Sequence, residues 1–258
     1  MFLGIIPYSK VLLVCIGTFA AGFVDAIAGG GGILSLPVYL LTGLPAQTAF
    51  GTNKVSSTLG ATVSAARFIR GGKVKWLSAI PSAITGLLGA RMASTFVMSM
   101  SPETFQKIII CILPFTAVFL IFKKDFGETE NQMEFSTAKV VILSLLIGLA
   151  VGFYDGLVGP GTGTFAILAF TSILKFDLKN ASGTAKIFNW ASNLGSALLF
   201  ISAGVVIWPM CLMSAACNMT GSYIGSGLAI KKDPKFIRIT MTIVCSMLII
   251  KLAYDVFF

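Results

Sequence analysis

The sequence predicts an all-α polytopic membrane protein made of two inverted repeats of about five segments each. It gives 8–10 transmembrane helices, some broken or re-entrant at glycine clusters. Three observations predict this. The 258 residues are 56% hydrophobic and 11% charged, with mean hydropathy +0.91, whereas a soluble domain carries roughly 25% charge. Apolar runs follow one another with short connections, many of them long enough to cross a ~30 Å hydrocarbon core. The second half also repeats motifs of the first.

Ten apolar segments are expected: 11–28, 33–43, 47–70, 76–98, 104–122, 138–157, 163–174, 181–203, 207–229 and 236–257. The second and seventh are too short to stand upright across the core. They are expected to be tilted, continued by irregular backbone, or re-entrant. The longest connection, Lys123 to Lys139, leaves no room for a separate domain. Met1 to Lys10 lacks the basic start of a cleaved leader, so this segment is expected to remain in the mature protein.

Gly22-Phe23-Val24-Asp25 precedes Gly29-Gly30-Gly31, and Gly152-Phe153-Tyr154-Asp155 precedes Gly159-Pro160-Gly161. Further on, Gly51-Thr52-Asn53-Lys54 matches Gly183-Thr184-Ala185-Lys186. Phe68 matches Phe200, and Gly72, Val74 and Trp76 match Gly204, Val206 and Trp208. These matches keep their order across both halves. The chain therefore reads as one transmembrane transport domain over 1–258, with repeats at about 8–123 and 138–258. An odd number of crossings in each half inverts the second relative to the first.

The basic residues test that geometry. With both termini outside, the loops Arg70 to Lys75, Lys123 to Lys139, Lys175 to Lys179 and Lys231 to Arg238 fall inside. The outer loops 44–46, 99–103 and 204–206 carry only Glu103. This is the positive-inside pattern. Inverted halves around one central site are a transporter architecture, although channels and some membrane enzymes also carry repeats.

Several function classes are excluded. The net charge of +9 is spread over short connections between apolar runs rather than one exposed face, so no nucleic-acid partner is expected. There is no histidine, which removes His-based metal sites and triads. The five cysteines lie in apolar runs without a Cys-x-x-Cys pair and read as small hydrophobes. No metal, no cofactor and no catalytic residue is expected, so the protein is not read as an enzyme. A nucleotide-binding Gly-Lys-Ser/Thr loop is also missing, which argues against direct ATP drive.

The chemistry is expected at the glycine clusters and at the charges inside apolar runs. Gly30 and Gly31, with Gly161 and Gly163, interrupt helix where backbone N–H groups and a following helix N-terminus can hold an anion. A tight turn or close helix packing is the other role for such glycines. Lys54 and Lys186 are matched between the halves, as are Asp25 and Asp155. An ionisable group at membrane depth is costly and faces a partner or a cavity. Under the inverted topology each aspartate is expected to pair with the lysine of the opposite half, as a structural ion pair or a coupling group. Thr52, Asn53 and Ser57 near Lys54, and Thr184 and Asn189 near Lys186, supply the donors an oxyanion needs beside a cation. Ser and Thr also serve as plain interhelical glue.

At these residues the sequence resembles the TauE/SafE sulfite exporter family. The likeness rests on Gly22 to Gly32, Ala49-Phe-Gly-Thr-Asn-Lys54, Gly71-Gly-Lys-Val74 and Gly152 to Gly163, and it covers nearly the whole chain. The resemblance implies a multi-pass permease of the bacterial cell (inner) membrane that moves sulfite or a related small sulfur-containing anion. Lys54 and Lys186 match the lysines of its two half-motifs, while Ala185 stands where the first half has Asn53. The expected partners are a small inorganic or organosulfur anion and the lipid bilayer, with a homo-oligomer left open. The alternatives are an anion channel, or a transporter of another small organic anion such as a sulfonate or a carboxylate.

Overall fold

The computed structural model describes residues 7–109, 111, 135–233, 235–237 and 239–240. Among them the secondary structure is helical, without strands. The helices are α1 (Tyr8–Ala28), α2 (Gly32–Leu40), α3 (Ala46–Arg70), α4 (Trp76–Met98), α5 (Thr137–Leu157), α6 (Thr162–Ser172), α7 (Leu178–Ser202) and α8 (Trp208–Lys231). They coincide, within a few residues, with eight of the expected segments. Residues 102–109, at the start of the expected segment 104–122, are also helical. The rest of that segment, most of 236–257 and most of the 123–139 connection lie outside the described residues.

The helix limits follow local chemistry. Pro7 and Pro45 immediately precede α1 and α3, where a missing N–H costs nothing. Ser136 and Asp177 cap α5 and α7, Asp177 accepting from the backbone N–H groups of Lys179 and Asn180 at 3.1 and 3.0 Å. At its far end, α1 stops at Gly29, whose φ of +80° is left-handed and whose N–H returns to the Asp25 carbonyl.

Element lengths recur in order: 21, 9, 25 and 23 residues in α1–α4, then 21, 11, 25 and 24 in α5–α8. Packing recurs too. α1 packs on α8 and α5 on α4, while α3 packs on α8 and α7 on α4. Close contacts give the directions. α3 runs parallel to α8, from Thr52 beside Ile207 through Gly60 beside Asn218 to Arg67 beside Tyr223. α1 also runs parallel to α8, with Phe19 at Gly221 and Phe23 at Gly225. α4 runs parallel to α5 and to α7, through Gly86 with Gly152 and Ser94 with Ser196. α3 is antiparallel to α7, with Gly51 against Phe200 and Phe68 against Gly183. Thus α1, α3 and α8 point one way, and α4, α5 and α7 the other.

The distribution of polarity is that of a protein solvated by lipid. Trp76, Ile80, Ile84, Leu88, Met92 and Phe96 recur every fourth residue along α4 and are all exposed. Leu12, Ile16 and Phe19 on α1, and Ile142, Leu146, Leu149 and Phe153 on α5, form similar stripes. Such a continuous apolar exterior exceeds what water tolerates. The buried side of α3 and α7 instead carries Thr52, Asn53, Lys54, Ser56, Thr184, Lys186, Asn189 and Asn193. Length and composition alone qualify α1 and α5 as membrane-crossing, at hydropathies of 2.2 and 2.1. α3 and α7 are 25 residues each, about 37 Å by the helical rise, but they keep their polar residues inside the bundle.

Candidate functional site

The two glycine turns meet each other beside α3 and α7. α2 folds back along α1, placing Gly31 beside Ala21 and Asp25 and Val38 beside Gly17. α6 returns from its own turn and touches the first: the Thr164 N–H donates to the Gly29 carbonyl at 3.2 Å, and its hydroxyl donates to the Ala28 carbonyl at 2.9 Å. A Cβ at Gly163 would lie 2.6 Å from Gly29 Cα, so only glycine permits this approach. Gly159 and Gly161 hold φ of +90° and +84°, the left-handed conformation that glycine adopts without strain.

Each turn is held by a lysine from the other half of the chain. Lys54 Nζ lies 2.7 Å from Asp155 Oδ1, with both side chains almost fully buried. Lys186 Nζ lies 3.0 Å from Asp25 Oδ2 and also donates to the Asp25 backbone carbonyl. Both crosswise contacts expected from the repeat are therefore formed. Each lysine sits at the C-terminal end of the opposite half's first helix, where carbonyl groups concentrate negative potential. Asn189 adds a long contact to Asp25 at 3.5 Å. The second oxygen of Asp155, Oδ2, is buried without a hydrogen-bond partner among the described residues.

A cavity of about 30 Å³ opens at this junction, enough for water. Of the sequence-predicted site residues, Lys54, Asn53, Ser57, Asn189, Gly31, Gly163, Asp25 and Asp155 line it. Gly30 and Gly161 are buried in the same turns without lining it. Lys186 is likewise outside the lining, behind its bond to Asp25.

Thr52 and Thr184 have other work. The Thr52 hydroxyl accepts the backbone N–H of Ile207 at 3.2 Å, and that of Thr184 accepts from Lys75 at 3.1 Å. Ile207 and Lys75 are the N-caps of α8 and α4. Each threonine thus anchors the start of a helix in the other half, away from the cavity.

The sequence reading did not single out Asn193, Asn218, Ser35 and Thr162, which also line the cavity. Asn193 lies one turn beyond Asn189 on α7, and its amide donates to the Asn189 carbonyl at 2.7 Å. Asn218 fits against Gly22 and Gly60, where any Cβ would overlap it. An amide inside an apolar run is the signal that could have found both. The cavity therefore combines side-chain amides, the Ser57 hydroxyl, the Lys54 ammonium and, at Gly31 and Gly32, the positive end of α2.

The chain matches known membrane proteins along nearly its whole length. The family model described as sulfite exporter TauE/SafE matches residues 14–252. The chain belongs to the TauE/SafE family. A "probable membrane transporter protein" of Haemophilus influenzae is 32% identical over 244 residues, 95% of this chain and 94% of that one. The "probable membrane transporter protein ORF9" of Sinorhizobium sp is 30% identical, covering 93% and 91%. The "probable membrane transporter protein YfcA" of Escherichia coli K12 is 32% identical, covering 91% and 86%. No solved structure matches. As a member of the TauE/SafE family the protein is a membrane transporter, and its exposed apolar helix faces are the surfaces that meet lipid.

Proposed function

We propose that this TauE/SafE protein is a secondary transporter for sulfite or a related small sulfur-containing anion, acting by alternating access of two inverted repeats. It is a single transport domain of the bacterial inner membrane, multi-pass, with both termini outside. The observation that carries the reading is the cavity at the meeting of the two glycine turns, lined by Lys54 and by Asn53, Asn193 and Asn218. A sulfur oxyanion presents several strong acceptors, and this lining offers a cation with several neutral donors. The opposed directions of α1 and α5, of α3 and α7, and of α4 and α8 support the inverted relationship.

Charge balance supports a coupled mechanism. The charges of Asp25, Lys54, Asp155 and Lys186, three of them buried and Asp25 partly so, sum to zero, so an added anion would leave the site negative in a poorly solvating interior. A proton entering with the anion removes this obstacle, and the carboxylates that line the cavity are Asp25 and Asp155. Of their oxygens, Asp155 Oδ2 is buried without a hydrogen-bond partner among the described residues. The groups around it are Lys54, with Asp25 and Lys186 beyond. Anion and proton then move together, and no nucleotide is needed.

The experiment is sulfite uptake into proteoliposomes under an imposed pH gradient. Uptake driven by a proton gradient at zero membrane potential supports the reading. Rapid non-saturating flux would instead indicate a channel.

A further inference from the structure

A second cavity, of about 320 Å³, lies where the C-terminal ends of α3 and α8 run side by side, and it is lined by Arg67, Arg70, Tyr223, Gly227, Ile230 and Lys231. We propose that it binds the headgroup phosphate of an anionic phospholipid.

Three observations carry this. The first is surplus charge. Helix C-termini attract cations, but two such ends supply only about one negative charge between them, against three cations here. None of the three has a carboxylate partner within salt-bridge distance among the described residues.

The second is that one cation is built in place. The Arg67 guanidinium donates to the Tyr223 carbonyl, its centre lies 4.1 Å from the centroid of the Tyr223 ring, and it rests on Gly227. A Cβ at Gly227 would come within 2.7 Å of Arg67 Nη2. An orientation signal needs only charge in a loop, not a guanidinium fixed between an aromatic ring and a bare backbone.

The third is that the fold does not require these cations. At the corresponding places on α7 and α4 stand Leu199, Ser202 and Ser99. The Ser202 and Ser99 hydroxyls donate to the carbonyls of Leu199 and Phe96, each at 2.7 Å. Helix ends of this kind are satisfied there without lysine or arginine, so the basic set belongs to one face of the molecule.

The chemistry of the rim selects a lipid over a free ion. Tyr223, which lines the cavity, is 59% exposed, and Ile224 and Ile69 on the same two helices are 44% and 42% exposed. Both isoleucines are neighbours in sequence of the cavity-lining residues and offer apolar surface for acyl chains, the pattern of basic pockets that take anionic headgroups.

The test follows thermal unfolding of the full-length protein in neutral detergent with added phosphatidylglycerol, phosphatidylcholine or inorganic phosphate. Phosphatidylglycerol alone is expected to raise the midpoint. Arg70→Gln and Lys231→Gln, both at exposed positions, are expected to weaken its apparent affinity about fivefold each without changing the lipid-free midpoint. An equal response to phosphatidylcholine or to inorganic phosphate would overturn the proposal, as would wild-type affinity in the double variant. Because the readout is not transport, its failure leaves the transport reading untouched.

Discussion

Lys54 and Asp155, 101 positions apart in the sequence, form a 2.7 Å ion pair inside the bundle, and Lys186 and Asp25 form its counterpart at 3.0 Å. Each pair ties a glycine turn of one half to a long helix of the other. The same residues that stitch the halves together thus border the cavity between them.

Breaking one pair strands a buried charge. Asp155→Leu is expected to destabilise the folded protein by about 3–5 kcal/mol, and Lys54→Met with Asp155→Leu should recover most of that. Thermal unfolding of the single and double variants in detergent measures it. Equal losses in both would mean that the pair contributes little.

Asp155→Asn keeps the shape and removes the ionisable oxygen. If the coupling proton rides on this carboxylate, Asp155→Asn should still exchange sulfite across the bilayer but should no longer concentrate it when a proton gradient is imposed. Gradient-driven accumulation retained in Asp155→Asn would move the coupling proton elsewhere.

The two lysines should separate. Lys54 lines the cavity, whereas Lys186 is bonded behind Asp25. Lys54→Met should raise the apparent KM for the anion by about tenfold or more, the loss of one charge-assisted contact. Lys186→Met should also weaken transport, but with a larger fall in stability than in affinity. Asn193→Ala and Asn218→Ala should follow Lys54, each weakening affinity several-fold. Competition binding alongside thermal unfolding distinguishes the cases.

Thr52→Val and Thr184→Val should behave as structural changes. Each leaves a helix-start N–H without its acceptor, at a cost of about 1–3 kcal/mol, with KM unchanged. A selective KM effect would place the hydroxyls in the anion path.

The glycine turns give a control within one residue type. Gly163→Ala would drive a Cβ into Gly29 and should lower the unfolding midpoint and the yield of folded protein sharply, at about 3 kcal/mol or more. Gly43 also has positive φ but faces open space, so Gly43→Ala should cost only about 1–2 kcal/mol. Size-exclusion yield and unfolding midpoint read both.

The helices were legible because hydropathy and repeat spacing act locally. Pro45, Gly29 and Asp177 mark their ends in the sequence itself. The crosswise pairs were legible through one global inference, that matched charges in opposed halves must neutralise each other. The threonines were not, because a hydroxyl next to a lysine in sequence points to another helix face: Thr52 and Lys54 are two residues apart, about 200° around α3. Asn193 and Asn218 were hidden for a related reason. Their place at the cavity depends on how α7 and α8 rotate about their axes, which is set by glycine contacts such as Gly60 against Asn218.

Sulfite counterflow in proteoliposomes, with a panel of competing anions, tests the central claim most directly. Saturable exchange is expected, inhibited by other sulfur oxyanions and weakened by Lys54→Met. Absence of exchange from folded wild-type protein, or exchange indifferent to sulfur oxyanions, would contradict it.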